Sequence, residues 1–206
     1  MRLNLVQFAD LHKIDALSER LGDDSVIIAG DLPTGEIKKP TAQNAGPKTK
    51  FYFCSLLPRN DNALLQKVRK PAALTAIRGN SLEGCSFAAN QKLDLLLNPF
   101  TSEKNFLDVQ SANVLAGNGT FIGILFRDFL GAEGFARSQL LKNAAMSLKV
   151  AQRAGTKLLF FSGAHDEAQM RAAKDLSSFG VMLGMKREDA LRAIKENASE
   201  FAERVK

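Results

Sequence analysis

The stretch Leu158-Leu-Phe-Phe-Ser-Gly-Ala164, followed by Arg171-Ala-Ala-Lys-Asp175 and then Phe179-Gly-Val-Met-Leu-Gly-Met185, decides the fold. Its first part is an unbroken apolar run, the pattern of a strand buried on both faces. The charged segment behind it reads as a loop or short helix. Val181 to Leu183, bracketed by Gly180 and Gly184, then reads as a further buried strand, and a helix follows from Glu188. Strand, charged crossover and strand are the parts of a β/α repeat.

Working outward, the same alternation runs back through the chain. Apolar runs at Leu3 to Ala9, Ser25 to Ala29, Phe51 to Leu57, Leu74 to Ile77, Leu93 to Leu97, Thr120 to Phe126 and Lys157 to Phe161 read as strands one to seven. Between them, Leu11, Ile14, Leu17 and Leu21 recur at helical spacing. Helices are also expected from Asn62 to Val68, after Ser81, over Phe106 to Ala116 and over Glu133 to Ala154, the last stopped by Gly155. Residues 30–50 are polar and rich in proline and glycine, and predict a long exposed loop. Seven or eight alternations predict one α/β domain over residues 1–206, a single (β/α) TIM-barrel-like fold of seven or eight strands. An open doubly wound sheet is the alternative, but no nucleotide-binding switch point marks one.

Composition narrows the function. Hydrophobic residues make up 45% of the chain, enough for a full core, and the net charge of +6 favours an anionic partner such as nucleic acid. Cys54 sits in an apolar run and neither it nor Cys85 belongs to a CxxC pair, which argues against a zinc site or a disulfide framework. The N-terminus has no charged-then-apolar leader pattern, and no apolar run approaches the roughly 20 residues of a membrane span. A soluble cytoplasmic protein with no membrane partner is therefore expected.

Reactive constellations are scarce. The chain has two histidines, His12 and His165. Asp10-Leu-His12 follows strand one, where a His and an acid can begin a metal site, but a hydrolytic centre needs several ligands and one histidine supplies no cluster. Ser162-Gly-Ala164 lacks the nucleophile-elbow pattern. Gly117-Asn-Gly119 precedes a strand instead of following one, so it reads as a turn. No catalytic residue and no resident metal is assigned.

Basic residues are better placed. Arg59, Arg78 and Arg127 follow strands three, four and six, and His165, Arg171 and Lys174 follow strand seven. In a barrel of parallel strands these positions share one end. Guanidinium groups grip phosphate through paired hydrogen bonds, so an arginine rim with no base or nucleophile beside it suits a phosphate backbone. Ordinary solvated loop charges are the plain alternative. The helix from Arg137 to Arg153 carries Leu140, Leu141, Ala144, Leu148 and Ala151 on one face and reads as an amphipathic barrel helix.

Ser162, Ala164, Arg171, Asp175, Leu176, Gly180, Gly184, Met185, Ala190 and Asn197 also fall in a spaced pattern. It resembles the C-terminal motif of archaeal ribonuclease P protein component 3, the family that includes the eukaryotic 30-kDa RNase P subunit. Ile122-Gly-Ile-Leu-Phe-Arg-Asp-Phe-Leu130, Leu95-Leu-Leu-Asn-Pro99 and Asp10-Leu-His12 are similar to that family's strand-six, strand-five and opening motifs. The likeness covers most of the chain from about Thr75 onward and is weak between Gly30 and Asn62. Ala173 and Asp128 stand where the family has proline.

The resemblance implies a barrel related to the polymerase-and-histidinol-phosphatase metal hydrolases. Those enzymes begin with a His-x-His motif of which only His12 remains, with Ile14 at the next histidine position. It implies a non-catalytic subunit of the ribonucleoprotein that removes the 5′ leader of precursor tRNA. The RNA then carries the chemistry with Mg²⁺, and the chain binds no cofactor. The implied partners are the RNase P RNA, precursor tRNA, a ferredoxin-like protein subunit and other RNase P proteins. The expected RNA contacts are Arg127 and Arg171, then Arg59, Arg78, His165 and Lys174. The competing expectation is a barrel metallohydrolase with a residual site at Asp10 and His12.

Overall fold

A computed structural model describes residues 2–7, 11–31, 49–69 and 74–204. Seven parallel strands stand in chain order in one sheet: β1 (Leu3–Val6), β2 (Ser25–Asp31), β3 (Lys50–Leu57), β4 (Leu74–Arg78), β5 (Leu95–Leu97), β6 (Phe121–Leu125) and β7 (Leu158–Phe161). Between them run α1 (Leu11–Leu21), α2 (Asn62–Arg69), α3 (Leu82–Asn90), α4 (Val109–Asn118), α5 (Arg127–Leu130) and α6 (Gly134–Ala154). The helices α7 (Ala173–Met182) and α8 (Arg187–Glu203) follow β7. The expected TIM-barrel-like fold is present, with seven strands.

The sheet curls until its edges meet. Val6 and Ala164 form a parallel bridge, Gln7 N donates to Ala164 O at 2.7 Å and Gly163 N donates to Leu5 O at 2.9 Å. Below the bridge Asn4 takes the place of a ladder bond. Its Oδ1 accepts from the N–H groups of Ser162 and Leu5, both at 2.9 Å, while its Nδ2 donates to Asp23 Oδ2 at 3.0 Å and to Arg171 O at 3.3 Å. Asn4 is fully buried, so these bonds also satisfy an amide that burial would otherwise penalise.

The two-residue period of each strand sorts its side chains. Leu3, Leu5, Ile27, Ala29, Cys54, Leu56, Leu74, Ala76, Leu95, Leu97, Phe121, Leu125, Leu159 and Phe161 fill the barrel. Ala198, Phe201 and Ala202 of α8 join them, with the Phe201 ring edge-on to Phe121 at 5.0 Å. Phe121 opens β6, so α8 plugs the N-terminal end of the barrel. The alternate residues Ile77, Leu96, Ile122, Ile124, Leu158 and Phe160 face the surrounding helices. Burial pushes the Cys85 thiol up to about 12 and the Cys54 thiol well above its ordinary range, so both are inert core groups.

Helix ends carry local reasons. Ser81 caps α3 by accepting from Gly84 N, and Asp108 caps α4 by accepting from Ser111 N at 2.6 Å. Helix α4 thus starts at Val109, later than the expected Phe106, because Asp108 is the capping residue. Helix α6 buries Leu140, Ala144, Leu148 and Ala151 as its spacing requires, and ends at Gly155 in the left-handed region. Of the expected 30–50 loop, Gly30 and Asp31 belong to β2 and Lys50 opens β3. Residues 32–48 lie outside the described residues.

One expectation is overturned. Val181 to Leu183 is not an eighth strand: Val181 and Met182 close α7 and Leu183 caps it. Met185 N donates to Gly180 O at 3.1 Å and Gly184 N to Val181 O at 2.9 Å, the paired bonds of a Schellman cap. Gly184, at φ +98°, supplies the left-handed residue that this cap needs. Gly180 lies inside the helix, where a Cβ would stand 3.1 Å from the Phe160 ring and 3.4 Å from Ala190 Cβ, so the glycine serves close packing and not a strand end. The buried set Leu176, Phe179, Gly180 and Leu183 follows helical spacing, which a three-residue apolar run between glycines concealed.

Candidate functional site

Parallel strands deliver their C-terminal ends, and the residues just beyond them, to one face of the barrel. There β4 ends in Arg78, β5 is followed by Asn98, and β6 is followed by Phe126, Arg127 and Asp128. Asn98 adopts φ +40°, a conformation open to asparagine, and its Oδ1 accepts from Leu125 N at 2.9 Å. Its Nδ2 donates to Asp128 Oδ2 at 2.7 Å, and Arg78 Nη1 reaches the same oxygen at 2.7 Å. Arg127 Nη1 lies 3.9 Å from the other carboxylate oxygen. Three strand ends are thus joined through one carboxylate.

His165, beyond β7, completes the face. Its Nε2 hydrogen-bonds Gln7 Oε1, beyond β1, and its backbone N–H donates to Gln169 Oε1 at 3.0 Å. Desolvation, followed by the Arg127 and Arg78 guanidinium groups, holds the imidazole below its ordinary pKa, against the pull of Asp128 and Asp166. Two guanidinium groups and two carboxylates thus surround the imidazole on this face.

The six expected basic contacts separate by position. Arg78, Arg127 and His165 are together. Arg59 is exposed and shares a cleft of about 490 Å³ with Arg78, Asn60, Asn80 and Ser81. It also pairs with Asp61 at 3.3 Å. Asp61 caps α2, and bonds from the Leu64 and Ala63 N–H groups hold its carboxyl below the usual range. Arg171 is employed internally: Nη1 donates to Ala168 O and Met170 O, both at 2.8 Å, and its guanidinium carbon sits 5.4 Å from the Phe126 ring centroid. Its backbone N–H donates to Ser162 Oγ at 2.8 Å. Lys174 lies elsewhere, in a groove with Arg2, Leu21, Leu191 and Lys195 on the barrel flank.

Neither Asn98 nor Asp128 is among the residues that the sequence points to as a site. The asparagine had a sequence signal in Asn98-Pro99 at the end of an apolar run. Asp128 had none, because its partners come from positions 78 and 98. Among the described residues no three His, Cys, Asp or Glu side chains converge as a metal site. The residual site expected at Asp10 and His12 falls outside the described residues, for His12 as regards its side chain. No helix among the described residues is long and apolar enough to cross a membrane.

Comparison with known proteins adds the family. The model of the RNase P subunit p30 family matches residues 55–205, well over half of the chain. Ribonuclease P protein component 3 of Methanosarcina acetivorans is 27% identical over 139 residues, which cover 66% of this chain and 58% of that protein. The same component of Thermococcus gammatolerans is 25% identical over 125 residues, 60% of this chain and 58% of its own. The chain therefore aligns with less than two thirds of the length of these relatives. Among solved structures, a chain of archaeal ribonuclease P with mature tRNA superposes at a TM-score of 0.79 and 19% identity, over 99% of this chain and 89% of that one. A prolidase complexed with N-methylphosphonate-L-proline superposes at 0.64 and 11% identity, over 98% and 74%. Both structural likenesses are likenesses of fold, and the family model, which matches from β3 to the end of α8, decides between them: this chain belongs to the RNase P subunit p30 family.

Proposed function

We propose that this chain is a protein subunit of ribonuclease P, the ribonucleoprotein that removes the 5′ leader of precursor tRNA. It supports the catalytic RNA by binding its phosphate backbone, acting together with a ferredoxin-like partner subunit and the other RNase P proteins. The observation that carries this reading is the gathering of Arg78, Arg127 and His165 from three strand ends onto one face. Such a face holds phosphates through charge and hydrogen bonds and releases their counterions. A-form RNA is recognised largely by shape and backbone, so no base-reading motif is needed at these three residues.

In this reading the RNA carries the Mg²⁺-dependent chemistry, and the chain contributes no catalytic residue and no cofactor of its own. Arg59 extends the phosphate track along the cleft it shares with Arg78. Arg171 acts by fixing the loop after β7, and Lys174 belongs to a second, flanking surface. The relatives' name and the family membership support the subunit role.

The test is precursor-tRNA cleavage at low Mg²⁺ with the cognate RNA and ferredoxin-like subunit, with and without this chain, and with this chain alone. Stimulation confined to reactions that contain the RNA and the partner is the expected result. Cleavage by the chain alone transfers the chemistry to the protein and returns the metallohydrolase reading.

A further inference from the structure

Helix α6 begins on the same end of the barrel as the arginine face, because it follows β6 and α5. Its first turns project from the body: residues 133–138 are all exposed, and burial begins only at Leu140. On this overhang stands Phe135, 78% exposed, the most exposed of the large hydrophobic side chains among the described residues. Around it the chain supplies small residues, Gly131, Gly134 and Ala136, and a Cβ built at either glycine would meet nothing within 4 Å. The ring is thus open to approach by a flat group. Arg137 lies two residues on, its Nε donating to Ala132 O at 2.6 Å, which holds the cation beside the connection from α5.

A protein-docking surface needs a contiguous apolar patch of several hundred Å². Phe135 has only Leu130, 38% exposed, as an apolar companion nearby in sequence, and the other side chains of the overhang are small, polar or charged. A single exposed aromatic plane with one cation, Arg137, two residues on, carried on the arginine end of the barrel, is instead an arrangement that takes an unpaired nucleobase, with arginines taking the flanking phosphates. We propose that Phe135 is a stacking platform for one unpaired base of RNA, on the same end of the barrel as the phosphate-binding face of Arg78 and Arg127. The proposal rests on the reading of this chain as an RNA-binding subunit and adds to it a base contact that the arginines do not provide.

The test is equilibrium binding of the full chain to fluorescently labelled ribonuclease P RNA of the same organism, across a range of salt. The variants are Phe135→Ala, Phe135→Leu and Phe135→Trp, with Arg78→Ala as a phosphate-contact control. The expected result is about tenfold weaker binding for Phe135→Ala, within the range for loss of one base–aromatic stack. Phe135→Leu stays as weak as alanine, Phe135→Trp binds like the parent, and the salt slope is unchanged in all three. Arg78→Ala lowers that slope. Parent-like binding by Phe135→Ala overturns the platform and leaves the phosphate face standing. Parent-like binding by Phe135→Leu also overturns it, by showing an apolar contact in place of a stack. Absence of binding by the parent chain at every salt concentration overturns both readings together. The ring is exposed, so all three variants are expected to melt with the parent.

Discussion

Arg78, the last residue of β4, and Asp128, in the first turn after β6, meet at 2.7 Å across the end of β5. Asn98, beyond β5, donates to the same carboxylate oxygen. Asp128 thus binds one of the face's arginines and approaches a second. It orders the guanidinium groups, and it cancels part of their charge.

Asp128→Asn separates these two effects. An amide oxygen still accepts from Asn98 or Arg78, but the negative charge is gone. RNA affinity is expected to rise several-fold at low salt, with the gain shrinking as salt screens the face. Thermal stability is expected to fall by about 1 kcal/mol, since the pair is only partly buried. Binding titrations at two ionic strengths beside a melting curve measure both. Unchanged affinity at low salt removes the cluster from the interface.

Arg127 and Arg171 look equivalent as strand-end arginines, yet they are held differently. Arg171 bonds two backbone carbonyls and packs over Phe126, so Arg171→Ala is expected to cost about 1–2 kcal/mol of stability along with activity. Arg127→Ala is expected to weaken RNA-dependent cleavage with an unchanged melting temperature. Paired cleavage and melting assays decide it, and an equal loss of stability in both variants would contradict the distinction.

In the proposed interface His165 is expected to couple RNA binding to pH. In the free protein desolvation and two guanidinium groups disfavour its protonation, and a phosphate beside it reverses that preference. Binding therefore takes up a proton, and RNA affinity is expected to rise as pH falls from about 7.5 towards 6. His165→Gln should flatten that dependence. For folding alone the sign is opposite: a lowered histidine pKa contributes stability that is lost as pH falls below the ordinary value. The pH profile of binding in parent and variant is the measurement, and identical slopes would remove His165 from the contact.

Asp23 sits under the seam between β1 and β7, bonded to Asn4. Burial raises its carboxyl from 3.8 to about 6, against the Asn4 bond and the nearby Arg2. The folded state therefore holds this proton more tightly than the unfolded state. The protonated group's contribution is complete below pH 3.8 and is lost as pH rises through about 6, a difference of about 2–3 kcal/mol. Asp23→Asn keeps an acceptor for Asn4 without the charge. It should match the parent near pH 3.5 and be more stable at pH 7.5. Chemical denaturation at both values checks this, and a pH-independent difference would assign the effect to packing alone.

The apolar runs determined the strands. Each is fixed by its own residues, because a strand buried on both faces needs nothing beyond local apolar continuity and a turn at each end. The alternation of those runs with helical periods also carried the barrel. The spaced Ser162, Arg171, Gly180 and Gly184 carried the family resemblance. Only tertiary structure settled Val181 to Leu183, where three apolar residues satisfy a strand and a helix alike. There the backbone bonds Met185 N to Gly180 O and Gly184 N to Val181 O make it the capped end of a helix. It alone also showed that Asn4 bonds the closing edges, that Asp128 gathers Arg78 and Asn98, that Arg171 is spent on its own loop and that Phe135 stands clear of the core. The partners of Asn4 and Asp128 come from distant strands, the exposure of Phe135 depends on how α6 leaves the body, and the Arg171 bonds depend on the folded path of its own loop, so apolar spacing encodes none of them.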